Sequence, residues 1–424
     1  MARALSDWLE SIERQHPVAI DLGLDRVRAV GTRMGLPKPA RHVVTVGGTN
    51  GKGSTVAFVE AIAAAAGLRV GAYTSPHLLA YNERVRIDGR DATDAELVEA
   101  FEAVDAARAD ATLTYFEYGT LAALWLFARA DLDLAILEVG LGGRLDATNL
   151  VDPDVAVITT VDLDHQEWLG GDREAIGFEK AGIARAWTPL VLGEDDPPAS
   201  VLRHAYAIGA SAIRAGCDYF FEPLPAPART DAAYWQWREV GCELILPRPA
   251  LAAPVQLRNA AAAIAALRAL DLDLPVEAIA RGVAQAHVPA RLQRLQRDGV
   301  EVVVDVGHNP QAARELSAWL AATPAAGRTQ AVFAALGDKD AAGVVRALGG
   351  QVDAWHLAGL EAGARGQTAD ALAAKLSGTP ANQATRHADV AAALGAALAD
   401  AHAGDRILVV GSFHTAAEAL AFLA

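Results

Sequence analysis

The sequence contains little cysteine and no long uninterrupted apolar run. Two cysteines among 424 residues, Cys217 and Cys242, are too few for a disulfide framework and too far apart for a zinc-binding pair. This predicts a reducing compartment, and residues 1–20, which mix charged and apolar side chains unlike a signal peptide, favour the cytoplasm. The most apolar stretch, 121–139, carries charged residues from position 129 onward, so we expect no membrane span.

Positive charge is also scarce. The chain has 37 Lys and Arg against 52 Asp and Glu, which gives a net charge of −15. Such a surface repels nucleic-acid backbones and anionic lipid headgroups, so we expect neither as a partner. Any polyanionic ligand must then be held by local positive features. A hydrophobic fraction of 52% excludes disorder as the main state, and the length predicts two or three domains.

Short β-branched runs alternate with helical stretches that are rich in alanine and leucine. This alternation predicts an α/β fold built on a mostly parallel sheet with helices on both faces. Most of the runs are apolar throughout, which is typical of central strands. The clearest predicted strands are 42–46, 134–139, 155–161, 190–192, 300–306, 330–334 and 406–410.

Two segments indicate how the chain is divided. The charged, Gln-rich segment 289–299 follows a predicted helix at 276–286 and precedes a new strand, so we interpret it as a linker. It would separate a first domain, 1–288, from a smaller Rossmann-like α/β domain, 300–424. The proline-dense stretch 223–227 is interpreted as a surface excursion of the first domain.

A glycine-rich loop, GGTNGKGS at 47–54, follows the first strong strand and precedes a helix expected to begin near Thr55. Exposed backbone N–H groups, a helix N-terminus and Lys52 would together hold the phosphates of a nucleotide, with Ser54 placed to help hold magnesium. The strict pattern G-x-x-x-x-G-K-[ST] is not met, because Gly53 separates Lys52 from Ser54. A glycine-rich turn without a ligand is the alternative. The predicted nucleotide contacts are Asn50, Gly51, Lys52, Gly53 and Ser54.

The form T-N-G-K-G-S resembles the ATP loop of the Mur ligase superfamily. Further segments resemble the folylpolyglutamate synthases, and most closely the bifunctional dihydrofolate synthase/folylpolyglutamate synthase family. These segments are YTSPHLLAYNERVRI at 73–87, LTYFEYGTLAALWLF at 113–127, LEVGLGGRLDATN at 137–149, LDHQEWLG at 163–170, EKAGI at 179–183, DVGHNP at 305–310, LGDKD at 336–340 and GSFHT at 411–415.

The resemblance implies an ATP-binding domain of the Mur ligase central type carrying the pterin site, and a C-terminal glutamate-ligase domain. It implies an ATP-dependent acid–amino-acid ligase that releases ADP. Such an enzyme adds L-glutamate to dihydropteroate and extends reduced folates through an acyl phosphate. The implied cofactors are ATP and two Mg²⁺ ions.

The resemblance also assigns the metal site. Ser75 and Glu138 would bind one magnesium ion, and His165 would bind the second; Ser54 of the phosphate loop is already placed to help hold magnesium. Lys180 would be carbamylated, so that its carboxylate supports the metal site; Lys52, Lys180 and His165 are the implied catalytic residues. From the residues alone other interpretations stay open: an ion-paired Glu138 at a strand end, a hydrogen-bonding or acid/base His165, and a solvated Lys180.

Further ligand contacts come from the same resemblance. Asn259, Arg291 and Asp305 would contact ATP, and His308, with Asn309 beside it, would lie near the incoming amino acid. Asn259 as a helix N-cap and Arg291 as an exposed linker charge are the alternatives.

Three segments would form the pterin pocket. Its implied residues are Ile20, Asp21, Leu22, Phe116, Glu117, Tyr118, Gly119, Leu145, Asp146 and Ala147. An ordinary aromatic core is the alternative for the two rings. The turn EAGARGQ at 361–367 resembles the G-P-R-G loop of the family with alanine in place of proline, and its role is left open.

Other functions remain to be separated from this one. A folylpolyglutamate synthase without the dihydropteroate reaction would share most of these motifs. A murein-precursor ligase would need a sugar-nucleotide domain before the loop, and only 46 residues precede Gly47. A nucleotide-dependent switch would need the loop but would leave Glu138, His165 and Lys180 unexplained. We expect a monomer.

Overall fold

The computed structural model describes residues 3–225 and 233–424, and its backbone contacts divide the chain into two compact units. The first unit is Met1–Ala250 with Gln256–His287, and the second is Leu251–Val255 with Val288–Ala424. None of the helices in the described part of the chain combines the length and the hydrophobicity that a membrane span requires.

In the first unit, the helices are α1 (Leu5–Gln15), α2 (Asp25–Met34), α3 (Lys52–Ala65), α4 (Asp94–Arg108), α5 (Tyr115–Ala128), α6 (Gln166–Leu169), α7 (Arg173–Ala181), α8 (Ala199–Ile208), α9 (Val255–Ala269) and α10 (Val276–Gln285). The strands of this unit are β1 (His42–Gly47), β2 (Val70–Tyr73), β3 (Val85–Ile87), β4 (Arg90–Asp91), β5 (Leu134–Glu138), β6 (Val155–Ile158), β7 (Pro189–Leu192), β8 (Ser211–Arg214), β9 (Tyr219–Pro223), β10 (Tyr234–Glu239) and β11 (Cys242–Pro247).

Eight of these strands form one sheet in the order β4-β3-β2-β5-β1-β6-β7-β8. The six neighbouring strands β2, β5, β1, β6, β7 and β8 are all parallel. At the β2 edge, β3 pairs with β2 and β4 pairs with β3, both antiparallel. The central strand β1 lies between β5 and β6, with Val46 in register with both Glu138 and Val157. Because parallel strands end at the same edge, the loops after β1, β2, β5, β6 and β7 gather there, which is where α/β sheets bind ligands.

The central elements are mostly buried. All five residues of β5 are buried, and α3 buries Val56, Phe58, Val59 and Ile62 completely. Each such side chain stabilises the fold by about 1.5–3 kcal/mol relative to an exposed position. A strand and a helix without a polar face belong in the middle of a layered α/β domain, and they fix the position of the loop between β1 and α3.

The second unit is a smaller α/β layer structure. Its helices are α11 (Pro310–Ala322), α12 (Ala341–Leu348), α13 (Ala369–Lys375), α14 (Val390–Asp400) and α15 (Phe413–Leu423), and its strands are β12 (Gln293–Arg297), β13 (Val300–Val304), β14 (Thr329–Phe333), β15 (Ala354–Ala358), β16 (Thr385–His387) and β17 (Arg406–Val410). The sheet order is β12-β13-β17-β14-β15-β16, parallel except for the pair β12–β13.

The segment 289–299 differs from its predicted role as a linker, because part of it is a strand. Residues Gln293–Arg297 form edge strand β12, which pairs with β13. Asp298 and Gly299, with φ of 51° and 83°, make the two-residue turn between the strands. Asp-Gly between alternating polar and apolar residues is the usual hairpin signal, and here the charged outer face hid it.

The predicted strands are present, with ends that differ by up to three residues. The strand expected at 155–161 ends at Ile158. Beyond Thr159, whose N–H still donates to Gly47 of β1, residues 160–162 bond to loops and side chains. In the proline-dense stretch, Pro223 closes strand β9 of a three-stranded antiparallel sheet, β11-β10-β9, and residues 226 and 227 lie outside the described residues.

Candidate active site

The phosphate loop connects β1 to α3 at the carboxyl edge of the large sheet. Its helix begins at Lys52, three residues earlier than the sequence indicated, because Gly51 takes a left-handed φ of 88° and serves as the N-cap. Lys52 Nζ donates to the carbonyl oxygens of Gly48 at 3.0 Å and Thr49 at 3.2 Å. Ser54, in the first turn of the helix, is 2% exposed. A helix N-terminus with a lysine over its loop suits a phosphate group.

The loop after β6 supports the phosphate loop from the side. Thr159 Oγ1 donates to the Asn50 carbonyl at 2.6 Å, and Thr160 Oγ1 accepts from the Asn50 N–H at 3.1 Å. The Thr49 N–H donates to the Thr160 carbonyl at 2.7 Å. Sequence reasoning passed over both threonines, because hydroxyl groups after a strand carry no distinctive motif.

Glu138 and Ser75, two residues of the predicted metal site, lie next to each other. Glu138 ends β5, Ser75 follows the adjacent strand β2, and the Ser75 N–H donates to Glu138 Oε2 at 3.2 Å. Glu138 is 5% exposed. Among the described residues no three His, Cys, Asp or Glu side chains form a metal site on their own. One carboxylate with hydroxyl groups nevertheless fits magnesium, which usually takes its other ligands from phosphates and water.

Lys180 lies in the last turn of α7 and is 3% exposed, so it is not on a solvated face. Burial, and after it the positive charge of Lys52, lowers the pKa of Lys180 from 10.5 to about 7. The negative charges of Asp164 and Asp146 act in the opposite direction. A large fraction of this amine is therefore neutral near pH 7, and a neutral amine is the form that reacts with electrophiles.

His165 immediately precedes α6 with a left-handed φ of 50°. Its backbone N–H donates to Asp164 Oδ1 at 2.9 Å, and its Nε2 lies 3.9 Å from the same oxygen. A non-glycine residue held in this region of backbone space is often found where a side chain must be aimed at a site.

At the predicted pterin segment 20–22, Asp21 belongs to an ion-pair network. Arg26 donates to Asp21 Oδ2 at 2.6 Å and to Glu117 Oε1 at 3.1 Å. Glu117 is 3% exposed and also accepts the Thr114 N–H in the capping box of α5. Ile20 and Leu22 are half-buried. The arginine thus joins the segment before α2 to the start of α5.

The two aromatic residues of FEYG, at 116–119, differ in burial. Phe116 is half-buried, its ring centroid is 5.9 Å from that of Tyr73, and a Cβ on Gly140 would lie 2.6 Å from the ring. Tyr118 is fully buried in the core and donates its hydroxyl to the Phe101 carbonyl at 3.0 Å. The prediction that Tyr118 walls a ligand is therefore wrong, because α5 turns this ring into the helix layer.

Asp146 holds the loop after β5 in place. It is 3% exposed, and it accepts the N–H groups of Gly140 at 3.0 Å, Leu141 at 2.9 Å and Thr148 at 3.0 Å. Thr148 adds its hydroxyl at 2.7 Å, and burial raises the pKa of Asp146. Its neighbours Leu145 and Ala147 are half-buried and buried. Gly119 lies on α5, where a Cβ would meet the Tyr81 hydroxyl at 2.5 Å.

Asn259 lies inside α9, so the N-cap alternative is wrong for it. Its Nδ2 donates to Gln256 Oε1 at 2.9 Å, and a Cβ on Gly51 would lie 2.6 Å from its Oδ1. The side chain is therefore packed directly against the start of the phosphate-loop helix.

The second unit gathers its own predicted residues at the end of β13. Asp305 accepts the N–H groups of Leu292 at 2.8 Å and Gly307 at 2.7 Å, and burial raises its pKa although Arg291 opposes the shift. The Arg291 guanidinium lies 5.2 Å from the Phe413 ring centre. His308 Nδ1 lies 3.0 Å from the Val306 carbonyl.

Asn309 is the N-cap of helix α11. Its Oδ1 accepts the Ala312 N–H at 2.9 Å at the start of α11. The 361–367 turn contacts the LGDKD segment, since Arg365 donates to both carboxylate oxygens of Asp338 at 3.1 and 2.9 Å.

Known proteins resemble the chain over its full length. The Mur ligase middle domain matches residues 46–267, and the Mur ligase glutamate ligase domain matches residues 290–413. The dihydrofolate synthase/folylpolyglutamate synthase of Escherichia coli (strain K12) is 46% identical over 420 residues, covering 99% of this chain and 95% of that protein.

Solved structures give the same result. Escherichia coli FolC in complex with DHPP and ADP superposes with a TM-score of 0.92 at 46% identity, covering 100% of this chain and 98% of that one. A bifunctional folylpolyglutamate synthase/dihydrofolate synthase with Mn, AMPPNP and L-glutamate bound superposes with a TM-score of 0.90 at 45% identity. The match covers 99% of this chain and 98% of that one.

The fold, the phosphate loop and the two matching domains define a Mur ligase. Within that class, the chain belongs to the bifunctional dihydrofolate synthase/folylpolyglutamate synthase family.

Replacing Gly51 by alanine tests the geometry of the phosphate loop. The new Cβ would meet Asn259 at the N-terminus of α3, so we expect the Kd for MgADP to rise about tenfold, equivalent to about 1.4 kcal/mol. Gly67→Ala is the matched control: it has a similar φ of 85°, just beyond the other end of α3, but nothing lies within 4 Å. Calorimetric titration with unchanged affinity in both variants would contradict the described loop geometry.

Proposed function

We propose that the protein is an ATP-dependent ligase that adds L-glutamate to dihydropteroate, giving dihydrofolate, and then extends reduced folates with further glutamates. The observation that carries this proposal is the 46% identity over 420 residues to an enzyme named for both reactions. The phosphate loop, Glu138 and the buried Lys180 at one sheet edge support it, because they supply what carboxylate activation requires.

Amide formation needs an activated carboxylate, since carboxylate oxygen is a poor leaving group. The acceptor carboxylate attacks the γ-phosphorus of ATP, ADP leaves, and an acyl phosphate forms; the glutamate amine then displaces phosphate. This chain's part is to position two anions and neutralise their charge. Lys52 and the N–H groups at the start of α3 bind the phosphates. By resemblance to the family, Asn259, Arg291 and Asp305 would contact ATP.

Ser54, Ser75, Glu138 and His165 are the residues that would hold magnesium, in two sites. The ion would screen the negative charge that builds up between the phosphoryl group and the attacking carboxylate. Glu138 is already oriented by the Ser75 N–H, so it needs little rearrangement to bind a cation.

Carbamylation of Lys180 is part of the proposal. A neutral amine attacks CO₂, forms a C–N bond and releases one proton, which leaves a carboxylate on the lysine. The low pKa of Lys180, about 7, supports this reaction near neutral pH, and the modification places an anion where the charge of Lys52 disfavours a second cation.

The remaining ligand contacts are proposed from the family. Phe116, with the 20–22 and 145–147 segments, would bind the pterin, while His308 in the second unit would approach L-glutamate. A cytoplasmic monomer that binds only these small molecules completes the proposal. The two free cysteines fit a reducing compartment.

The proposed function is tested by product masses after incubation with ATP, magnesium and L-glutamate. We expect one glutamate on dihydropteroate and several on a reduced folate monoglutamate. Extension of folate alone would restrict the activity to that of a folylpolyglutamate synthase. ATP binding without any adduct would instead favour a nucleotide switch.

Replacing Lys180 by alanine should lower ligation about 10- to 100-fold, the usual loss when a group supporting a metal site is removed. Formate or acetate should restore part of the activity, and Lys38→Ala, an exposed position, should change nothing. Carbon-13 NMR after equilibration with labelled bicarbonate should show a carbamate in the wild type. Below about pH 7 the signal should weaken, because Lys180 becomes protonated. Full activity of the alanine variant would remove the carbamate from the mechanism.

Replacing Phe116 by alanine should raise the KM for dihydropteroate about tenfold, the effect of losing one aromatic contact and its buried area. The KM for reduced folate should rise less, because the resemblance assigns this residue to the dihydropteroate pocket. Tyr118→Phe is the control, since that ring lies in the core. Equal increases for both substrates would argue against a separate pocket.

A further inference from the structure

Residues 159–162 follow β6. The Thr159 N–H still donates to the Gly47 carbonyl at the end of β1, but side chains take over the backbone hydrogen bonds of Val161 and Asp162. Val161 is the clearest case. Its N–H donates to Glu194 Oε1 at 3.0 Å, and its carbonyl accepts from Arg173 Nε at 2.9 Å. Arg173 Nη2 also donates to Glu194 Oε2 at 3.3 Å, so one ion pair holds both polar groups of a single residue.

The two clamping residues are anchored separately. Glu194 lies just beyond β7, where the Gly193 N–H donates to the Ile158 carbonyl at 2.9 Å. Arg173, the first residue of α7, donates to the Asp196 carbonyl at 2.9 Å. The Glu194 side chain is 13% exposed. The clamp therefore ties the segment after β6 to the neighbouring strand and to the helix that carries Lys180.

The opposite side of the same segment supports the phosphate loop. Besides the Thr159 and Thr160 bonds to Asn50, Thr49 Oγ1 donates to the Asp162 carbonyl at 3.1 Å and accepts the Asp162 N–H at 3.0 Å. A shift of Val161 would therefore also displace the residues beside it that bond to the phosphate loop. Neither Glu194 nor Arg173 belongs to the predicted contacts of nucleotide or metal.

We propose that Glu194 and Arg173 are positioning residues for nucleotide binding: they hold Val161 so that residues 159–162 keep the phosphate loop in its binding shape. This inference rests on the proposed function only in requiring that the loop binds a magnesium nucleotide. An ordinary structural ion pair would affect stability and leave affinity unchanged, which makes the two roles separable.

The test uses the full chain and compares Glu194→Ala with Glu194→Gln. Alanine removes the acceptor for the Val161 N–H, so the calorimetric Kd for MgADP should rise about tenfold. Glutamine keeps an oxygen acceptor for the Val161 N–H, and Arg173 still donates to the carbonyls of Val161 and Asp196. The Kd of Glu194→Gln for MgADP should therefore stay within about threefold of wild type.

Glu174→Ala is the matched control. This carboxylate follows Arg173 on the same helix and also accepts two backbone N–H groups, from Ala199 at 2.8 Å and Ser200 at 2.7 Å. Those groups start α8 and do not touch residues 159–162. The control should lower the Tm while leaving the Kd for MgADP unchanged.

Three results would overturn the inference: wild-type affinity in Glu194→Ala, equal loss of affinity in Glu174→Ala, or no recovery in Glu194→Gln. If the alanine variant does not fold, Arg173→Lys decides, since it keeps the charge but loses the planar fork; unchanged affinity there would equally overturn it. A wild-type protein that binds no MgADP would overturn the proposed function itself.

Discussion

The site depends on one constraint: the phosphate loop must leave its N–H groups available for an anion while the rest of its backbone is bonded from behind. The large parallel sheet ends at this loop, so no further strand can supply those bonds. The segment after β6 does so instead: the Thr159 and Thr160 hydroxyls bond to Asn50, and the Thr160 carbonyl accepts the Thr49 N–H. A loop fixed in this way binds phosphate without first being ordered, which favours affinity.

The same edge of the sheet concentrates ionisable groups away from water. Glu138, Asp146 and Lys180 are each 5% exposed or less. Burial raises the pKa of Asp146 and lowers that of Lys180, so each group is shifted towards its neutral form. Burial also raises the pKa of Glu194 to about 7, against the effect of Arg173. Such pKa shifts cluster at functional sites, where the charges of a bound ligand compensate those of the buried side chains.

Much of this could be predicted from the sequence where local pattern and final structure coincide. The apolar strands and the TNGKGS loop follow from backbone and packing rules that act over a few residues. Tyr118 could not be placed, because α5 is apolar on nearly every face and gives no periodicity. Strand β12 was hidden by its charged outer face. Glu194 and Arg173 are joined to Val161 only by the fold, so no motif connects them.

The central claim is that the carboxylate is activated by phosphoryl transfer at this sheet edge. The most direct test uses dihydropteroate with its carboxylate labelled with oxygen-18, together with ATP, magnesium and L-glutamate. An acyl phosphate passes one carboxylate oxygen to phosphate when the amine displaces it, so the inorganic phosphate released should carry one labelled oxygen. Dihydrofolate formed with unlabelled phosphate would contradict the account.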